Sequence, residues 1–295
     1  MGANTLTNLI PTMYAALDVV SRELIGFIPA VSRNSTVERA ALNQSVLVPI
    51  APAPTLGDND PGVTAPDTGD QTIGNVEIQI TKSKHAPIRW NGEQTRGMRN
   101  AGTYGSVLQD QFEQAFRALC NAVETDLAST YTYASRAYGT AGTAPFGTVN
   151  DLSDAAGVLQ ILDDNGCPIS DRHLVLGSAA MANIRGKQAS LFRVNEAGTD
   201  DLLRRGFIGE LESFRVGNSG FVKQHAIGTA NANYDTNIDP SPLAAGSTTI
   251  GIDTGSGTVV AGDVITFTGD TNKYVVGTAL SGGNVVINAP GLQKT

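Results

Sequence analysis

The run from residue 106 to residue 138 limits what this chain can fold into more than any other stretch. Apolar side chains stand at Leu108, Phe112, Ala115, Phe116, Leu119, Cys120, Val123, Leu127, Tyr131, Ala134 and Tyr138. Steps of three and four put them on one face of an α-helix. Ser106 and Gln109 have capping-box spacing, in which the serine accepts from an orphan N–H and the glutamine reaches back. Gly139 is placed to stop the helix. About 32 residues at about 1.5 Å each predict a rod of roughly 48 Å. A helix several times the usual length, with one apolar stripe, is an architectural spine.

The preceding stretch has a different period. Residues 45–50 (SVLVPI) read as a short strand, with Pro49, Pro52 and Pro54 excluding a central sheet position. The segment GDNDPGVTAPDTGD at 57–70 has almost nothing to bury and reads as an exposed loop. Over 73–82, Val76, Ile78 and Ile80 alternate with Glu77, Gln79 and Thr81, the pattern of a half-buried strand with one wet face. Strand, polar tip and strand make a long hairpin. An isolated two-stranded hairpin is marginal in water, so support from outside it, by another subunit, is expected. At the amino end, Leu6, Leu9, Ile10, Met13, Leu17, Val20, Leu24 and Phe27 again step by three and four. Pro11 is tolerable only in a first turn, so the regular helix runs from there to near Gly26. Such a helix is either core packing or an arm lying on a neighbour.

Beyond 150 the elements shorten. Residues 151–163 read as a helix ended by Gly166, His173–Leu176 as a buried strand, and Ser178 as the cap of a short helix carrying Ala180, Met181 and Ile184. The polar stretch 186–201 leads into apolar segments at 202–208 and 211–216. After a linker at 230–239, strands are predicted at 249–252, 259–260, 264–267, 274–276 and 285–287, separated by glycine turns. These would form a small antiparallel barrel or sandwich.

Composition narrows the function. Hydrophobic residues make up 41%, enough for a sizeable core, whereas charged residues are only 16% against about 25% in an average domain. A surface so poor in charge suits broad subunit contacts. The net charge is −8, and no run of Lys or Arg occurs, which argues against direct gripping of nucleic acid. Arg185, Lys187, Arg193, Arg204 and Arg205 are interspersed with Glu196, Asp200 and Asp201, so their field largely cancels. Cys120 and Cys167 form neither a disulfide framework nor a metal pattern. The apolar stretch 13–31 is interrupted by Asp18, Arg22 and Glu23, which excludes a signal peptide or a membrane span there. Phosphate-loop, dinucleotide and nucleophile-elbow motifs are absent, and His85, His173 and His225 lack metal spacing. Asp58, Asp60, Asp67 and Asp70 share one loop but miss the calcium-loop spacing, with Pro61 interrupting it.

The order of parts is amphipathic arm, long hairpin, capped spine, α/β domain and β-rich appendage. It resembles the major capsid proteins of tailed phages of the Hong Kong 97 type, and more narrowly the P22 coat branch. The likeness is carried by MGANTLTNLIPTMYAALDVVSREL at the start, VLVPIAPAP before the loop, EQAFRALCNAVETDLASTY on the spine and TDDLLRRGFIGELESFRVGNSGFVKQHAIGT at 199–229. It implies an α+β fold with an N-terminal arm (1–44), an E-loop hairpin with flanking strands (45–100), a P-domain spine (101–149), an A-domain (150–229) and a linker with a β-rich inserted or peripheral domain (230–295). In that family the chain returns after a β-rich insertion to complete the A- and P-domains; the resemblance implies either a further C-terminal segment that does so or that residues 247–290 supply those strands.

The function implied is that of a virion subunit and not an enzyme. It would be assembled in the host cytoplasm as hexamers and pentamers into an icosahedral head. That head encloses double-stranded DNA without sequence-specific binding, membrane or cofactor. Scaffolding, portal and decoration or cement proteins are the further partners implied. A tail-tube, adhesin or surface-layer subunit is the alternative. The candidate intersubunit residues are Asp58, Asp60, Asp67 and Asp70 at the hairpin tip, Lys82 and Lys84 on its return, and Arg204 and Arg205.

Overall fold

The alternating pattern at 45–50 and 73–82 does form a hairpin in the computed structural model, which describes residues 26–32, 42–52, 54, 72–102, 104–188, 208–230, 234–236 and 243–294. Strand β1 (Ser45–Ile50) pairs antiparallel with β2 (Gly74–Gln79), with Ser45 opposite Gln79 and Ile50 opposite Gly74. Asn43 N donates to Ile80 O at 2.9 Å and Ile80 N to Gln44 O at 3.1 Å, closing the base. This hairpin lies in one compact unit, within residues 32–87; the second unit lies within 1–31 and 88–295.

In the second unit, α1 (Phe27–Ala30) is followed by α2 (Gly92–Asn100) and the spine α3 (Tyr104–Ala128). The sequence reading names no helix at 92–100, yet Asn91 and Gln94 form a reciprocal capping box there. The capping box expected at Ser106 and Gln109 is not made. Ser106 lies inside the first turn, and Gln109 Nε2 donates forward to Glu113 Oε1 at 3.1 Å. The helix starts earlier at Tyr104, whose ring stands edge-on to Trp90 with centroids 6.0 Å apart and lies under the Arg99 guanidinium.

The spine is also shorter than its apolar period predicts. It ends at Ala128 and tightens into a 3-10 turn, Ser129–Tyr133. Ser129 Oγ donates to Asp126 O at 2.6 Å and Thr130 Oγ1 to Leu127 O at 2.7 Å, so hydroxyls satisfy the last carbonyls. The 25 residues make a rod of about 38 Å instead of roughly 48 Å. Residues 134–138, read as more helix, run extended instead. Ala137 N donates to Lys273 O at 2.9 Å and Val275 N to Ser135 O at 3.3 Å. Those partners are about 140 positions away, beyond the reach of any local pattern.

The α/β core joins α4 (Ser153–Asp164), β3 (His173–Leu176), α5 (Ser178–Lys187), β4 (Glu210–Leu211) and β5 (Phe214–Asn218). The sheet order is β3-β5-β4, with β3 parallel to β5 and β4 antiparallel to it. Phe146, Ala155, Leu176, Ala180, Met181, Ile184, Ile208 and Leu211 form its buried cluster. Helix α4 stops as expected, with Gly166 at φ +71°. Helix α5 begins at Ser178 with Gly177 as its N-cap, so Ser178 is the first helical residue and not the expected cap. The run 211–216, an apolar segment in the sequence, folds back on itself through Glu212 (φ +45°) and Ser213 (φ +69°). That geometry usually selects Asn or Gly, so the sequence carried no turn signal.

The last segment is one antiparallel sheet of β6 (Thr249–Gly251), β7 (Val264–Ile265), β8 (Tyr274–Ser281) and β9 (Asn284–Ile287), ordered β6-β9-β8-β7, and not a barrel or sandwich. Val259 and Val260 are outside the ladder, at a turn closed by Asp263. The expected boundary near residue 230 is crossed by many bonds. Besides the 135–137 pairing, Asn288 Nδ2 donates to Thr132 O at 2.7 Å and Ala134 O at 2.8 Å. Arg136 also donates to Asn272 Oδ1 at 3.0 Å. The sheet is built onto the end of the spine.

Tyr274 is fully buried in this sheet. Its hydroxyl donates to Asp270 Oδ2 at 2.5 Å and accepts from Gln293 N at 2.9 Å. Burial by itself raises the Asp270 carboxyl, but hydrogen bonds from Tyr274 and Asn272, with the Lys294 charge, outweigh it and hold the group below the usual carboxylate range. Burial, reinforced by Asp270, pushes the Tyr274 phenol above its usual range. A depressed carboxylate stabilises the fold above its unfolded value, and that contribution is lost as pH falls through the folded one. A raised phenol stabilises below its unfolded value, and loses that as pH rises through the folded one. Urea stability is therefore expected to fall at both acid and alkaline extremes. Asp270→Asn should shrink the acid loss, and an unchanged acid limb in that variant would refute the assignment.

Candidate functional site

The hairpin sorts its side chains by face. Directly opposed residues share a side, so Val46 with Ile78, Val48 with Val76 and Ile50 with Gly74 make an apolar face. Ser45 with Gln79, Leu47 with Glu77 and Pro49 with Asn75 make the mixed one. Ile50, Val76 and Ile78 are exposed, and Val46 and Val48 are half-buried. The sequence predicts that this face is covered; within the chain, β2 is exposed along its whole length. Lys82 and Lys84 are exposed on the return from the hairpin. Asp58, Asp60, Asp67, Asp70, Arg204 and Arg205 lie outside the described residues.

The spine's least accessible side chain is an acid. Glu124 is fully buried. Its Oε1 accepts from Phe27 N at 3.0 Å and Ile28 N at 2.9 Å, the first donors of α1, and its Oε2 accepts from Ser219 Oγ at 2.9 Å. Ser219 Oγ in turn accepts from Phe221 N at 3.2 Å. One carboxylate therefore joins the amino-terminal segment, the spine and the end of β5. Gly26 makes room for this: a Cβ there would lie 2.8 Å from Val175 Cγ1 and 3.0 Å from the Asn218 carbonyl. Periodicity alone places Glu124 beside Cys120 and Val123 as one more polar helix residue, with no sign of its distant partners.

A second polar cluster lies where the spine ends. Tyr131 Oη is 2.7 Å from His225 Nδ1, and His225 Nε2 is 2.7 Å from Asp263 Oδ1. Asp263 also accepts from Val260 N at 2.8 Å and Gly228 N at 3.2 Å. Sequence reasoning missed this set because its members lie 94 and 38 positions apart and form no motif. His173 sits 3.3 Å from Asp171 Oδ1.

An open groove of about 1040 Å³ lies between the 137–148 loop, α4 and residues 271–273. Its cations are engaged by the protein itself. Lys187 Nζ donates to Gly147 O at 2.9 Å, Lys273 Nζ to Gly139 O, and Arg136 pairs with Asp164 at 2.9 Å. Among the described residues no group of three or more His, Cys, Asp or Glu is placed to hold a metal ion. Among them, too, no helix is long and apolar enough to cross a membrane.

These elements define an α+β protein with an exposed apolar hairpin and a long spine helix tied to two small sheets. No protein-family model matches the chain, and no curated protein is similar to it. A solved chain described as Mycobacterium phage Che8 is similar over 73% of this chain and 89% of its own length, with a TM-score of 0.44 and 17% identity.

Proposed function

We propose that this chain is a shell-building subunit, a major capsid protein of a tailed phage with the Hong Kong 97 type of fold. Copies assemble as hexamers and pentamers into an icosahedral head that encloses double-stranded DNA. The observation that carries this reading is the apolar face of the hairpin: Ile50, Val76 and Ile78 are exposed on a two-stranded sheet that is marginal by itself. A neighbouring copy is the covering surface. Burying an aliphatic side chain contributes about 1.5–3 kcal/mol, and a closed shell repeats each such contact over its symmetry. The acidic net charge of −8 suits a wall that encloses DNA without adhering to it. Scaffolding, portal and decoration or cement proteins are the partners such a shell takes.

Electron microscopy of the purified, concentrated protein is the test. Uniform polyhedral shells support the reading, tubes or sheets support a tail or surface-layer subunit, and monomers at every concentration defeat it. The double variant Val76→Lys/Ile78→Lys separates folding from assembly. Both positions are exposed, so the change in subunit stability should stay within about 1 kcal/mol, whereas shell yield should fall at least about tenfold. Normal shells from this variant would remove the hairpin from the interface.

A further inference from the structure

We propose that Tyr131 is a nucleophilic phenol, served by a His225–Asp263 relay, and that its Oη accepts the acyl group of an activated acyl donor. The geometry is that of a nucleophile, a base and an orienting acid. Asp263 is an acceptor only, fixed by Val260 N at 2.8 Å on Oδ2 and by Gly228 N at 3.2 Å on Oδ1. The same Oδ1 lies 2.7 Å from His225 Nε2, so the ring proton sits on Nε2 and the Nδ1 lone pair faces outward. Tyr131 Oη, 2.7 Å away, donates to that lone pair.

The base is sheltered and the nucleophile is reachable. The His225 side chain is 21% exposed, and Tyr131 is 38% exposed. Their rings stand edge to face, 5.5 Å apart at 71°. Gly262, at φ +94°, permits this approach: a Cβ there would lie 2.8 Å from Tyr131 Cε2 and 2.9 Å from His225 Cε1. Three separated parts of the chain thus meet in one cluster, with His225 on the Tyr131 hydroxyl and Asp263 behind His225.

The step balances within the site and its donor. Tyr131 Oη attacks the acyl carbon and the O–C bond forms as the bond to the leaving group breaks. The phenol proton passes to His225 Nδ1 and from there to the leaving group. Asp263 holds the imidazolium in place through Nε2–H and is not itself consumed.

The test uses the unassembled full chain at neutral pH with limiting N-acetylimidazole, following each tyrosine by peptide mass spectrometry. Simple accessibility would put Tyr133, 78% exposed, and Tyr138, 51% exposed, ahead of Tyr131. The relay reverses that order, with Tyr131 acetylated about tenfold faster than Tyr133. In urea-unfolded chain the ratio should collapse to about one, a control that needs no variant. His225→Gln keeps a donor for Asp263 and an acceptor for Tyr131 but cannot take the proton. It should bring Tyr131 to or below the rate of Tyr133 while leaving Tyr133 unchanged. Equal or slower labelling of Tyr131 in the native wild-type chain overturns the proposal, as does an undiminished rate in a folded His225→Gln protein.

Discussion

Replacing Glu124 by Ala is expected to lower unfolding stability by about 3–5 kcal/mol, more than any apolar truncation on the same helix. The variant leaves Phe27 N, Ile28 N and the Ser219 hydroxyl without their acceptor, in a place where Glu124 and Ser219 are fully buried. Each stranded donor costs about 1–3 kcal/mol, because water does not replace the lost partner. Phe116, on the predicted apolar stripe, is only half-buried in this chain, so Phe116→Ala should cost about 2 kcal/mol. Ser219→Ala removes one bond of the set and should cost about 1 kcal/mol. Urea unfolding followed by circular dichroism gives the ranking. If Phe116→Ala proves the more damaging change, the buried carboxylate is not what fastens the amino-terminal segment to the spine.

Gly228→Ala should be nearly as severe, at about 3 kcal/mol or more, for a reason of space. A Cβ on residue 228 would lie 2.0 Å from Thr258 O and 2.8 Å from Asp263 Oδ2. The closer atom is backbone, held by Ala230 N at 3.1 Å, so no side-chain rotation relieves the clash. Moving residue 228 away also breaks its N–H bond to Asp263 and disturbs the acceptor that orients His225. Gly186→Ala supplies the contrast. Its added methyl meets nothing within 4 Å on an exposed turn of α5, and it should raise stability by about 0.5–1 kcal/mol. Thermal or urea melts of the two variants should move in opposite directions. Similar behaviour would mean that the approach of 228 to 258 is not maintained in solution.

What local period and turn chemistry encode was legible in the residues. The strand Ser45–Ile50, the return strand, the helix within 151–163 with its glycine stop and the strand His173–Leu176 all appear close to where their patterns lie. These signals survive because each element's side chains must match its own repeat. The exceptions share a cause. Residues 134–138 continue the spine's apolar spacing yet leave the helix, because Ser135 and Ala137 hydrogen-bond with β8 and the residues beside it. Glu212 and Ser213 turn a chain whose apolar run 211–216 carries no turn signal, because β4 and β5 gain more by pairing than two left-handed residues cost.

By itself, then, the sequence determined the kinds of element, a hairpin with one apolar face, and a low charge content of 16%. Only the tertiary structure decided where the spine ends and that the last sheet is built onto that end. It also decided that Glu124, and not the apolar stripe, is the spine's most deeply buried contact. The physical reason is range. Helix and strand periods are written in neighbours a few residues apart, whereas Glu124 with Phe27 and Ser219, or Tyr131 with His225 and Asp263, meet across 38 to 97 positions. A single acid or hydroxyl in such a pair leaves no repeat in the sequence, and its role exists only once the chain has brought its partner within hydrogen-bonding distance.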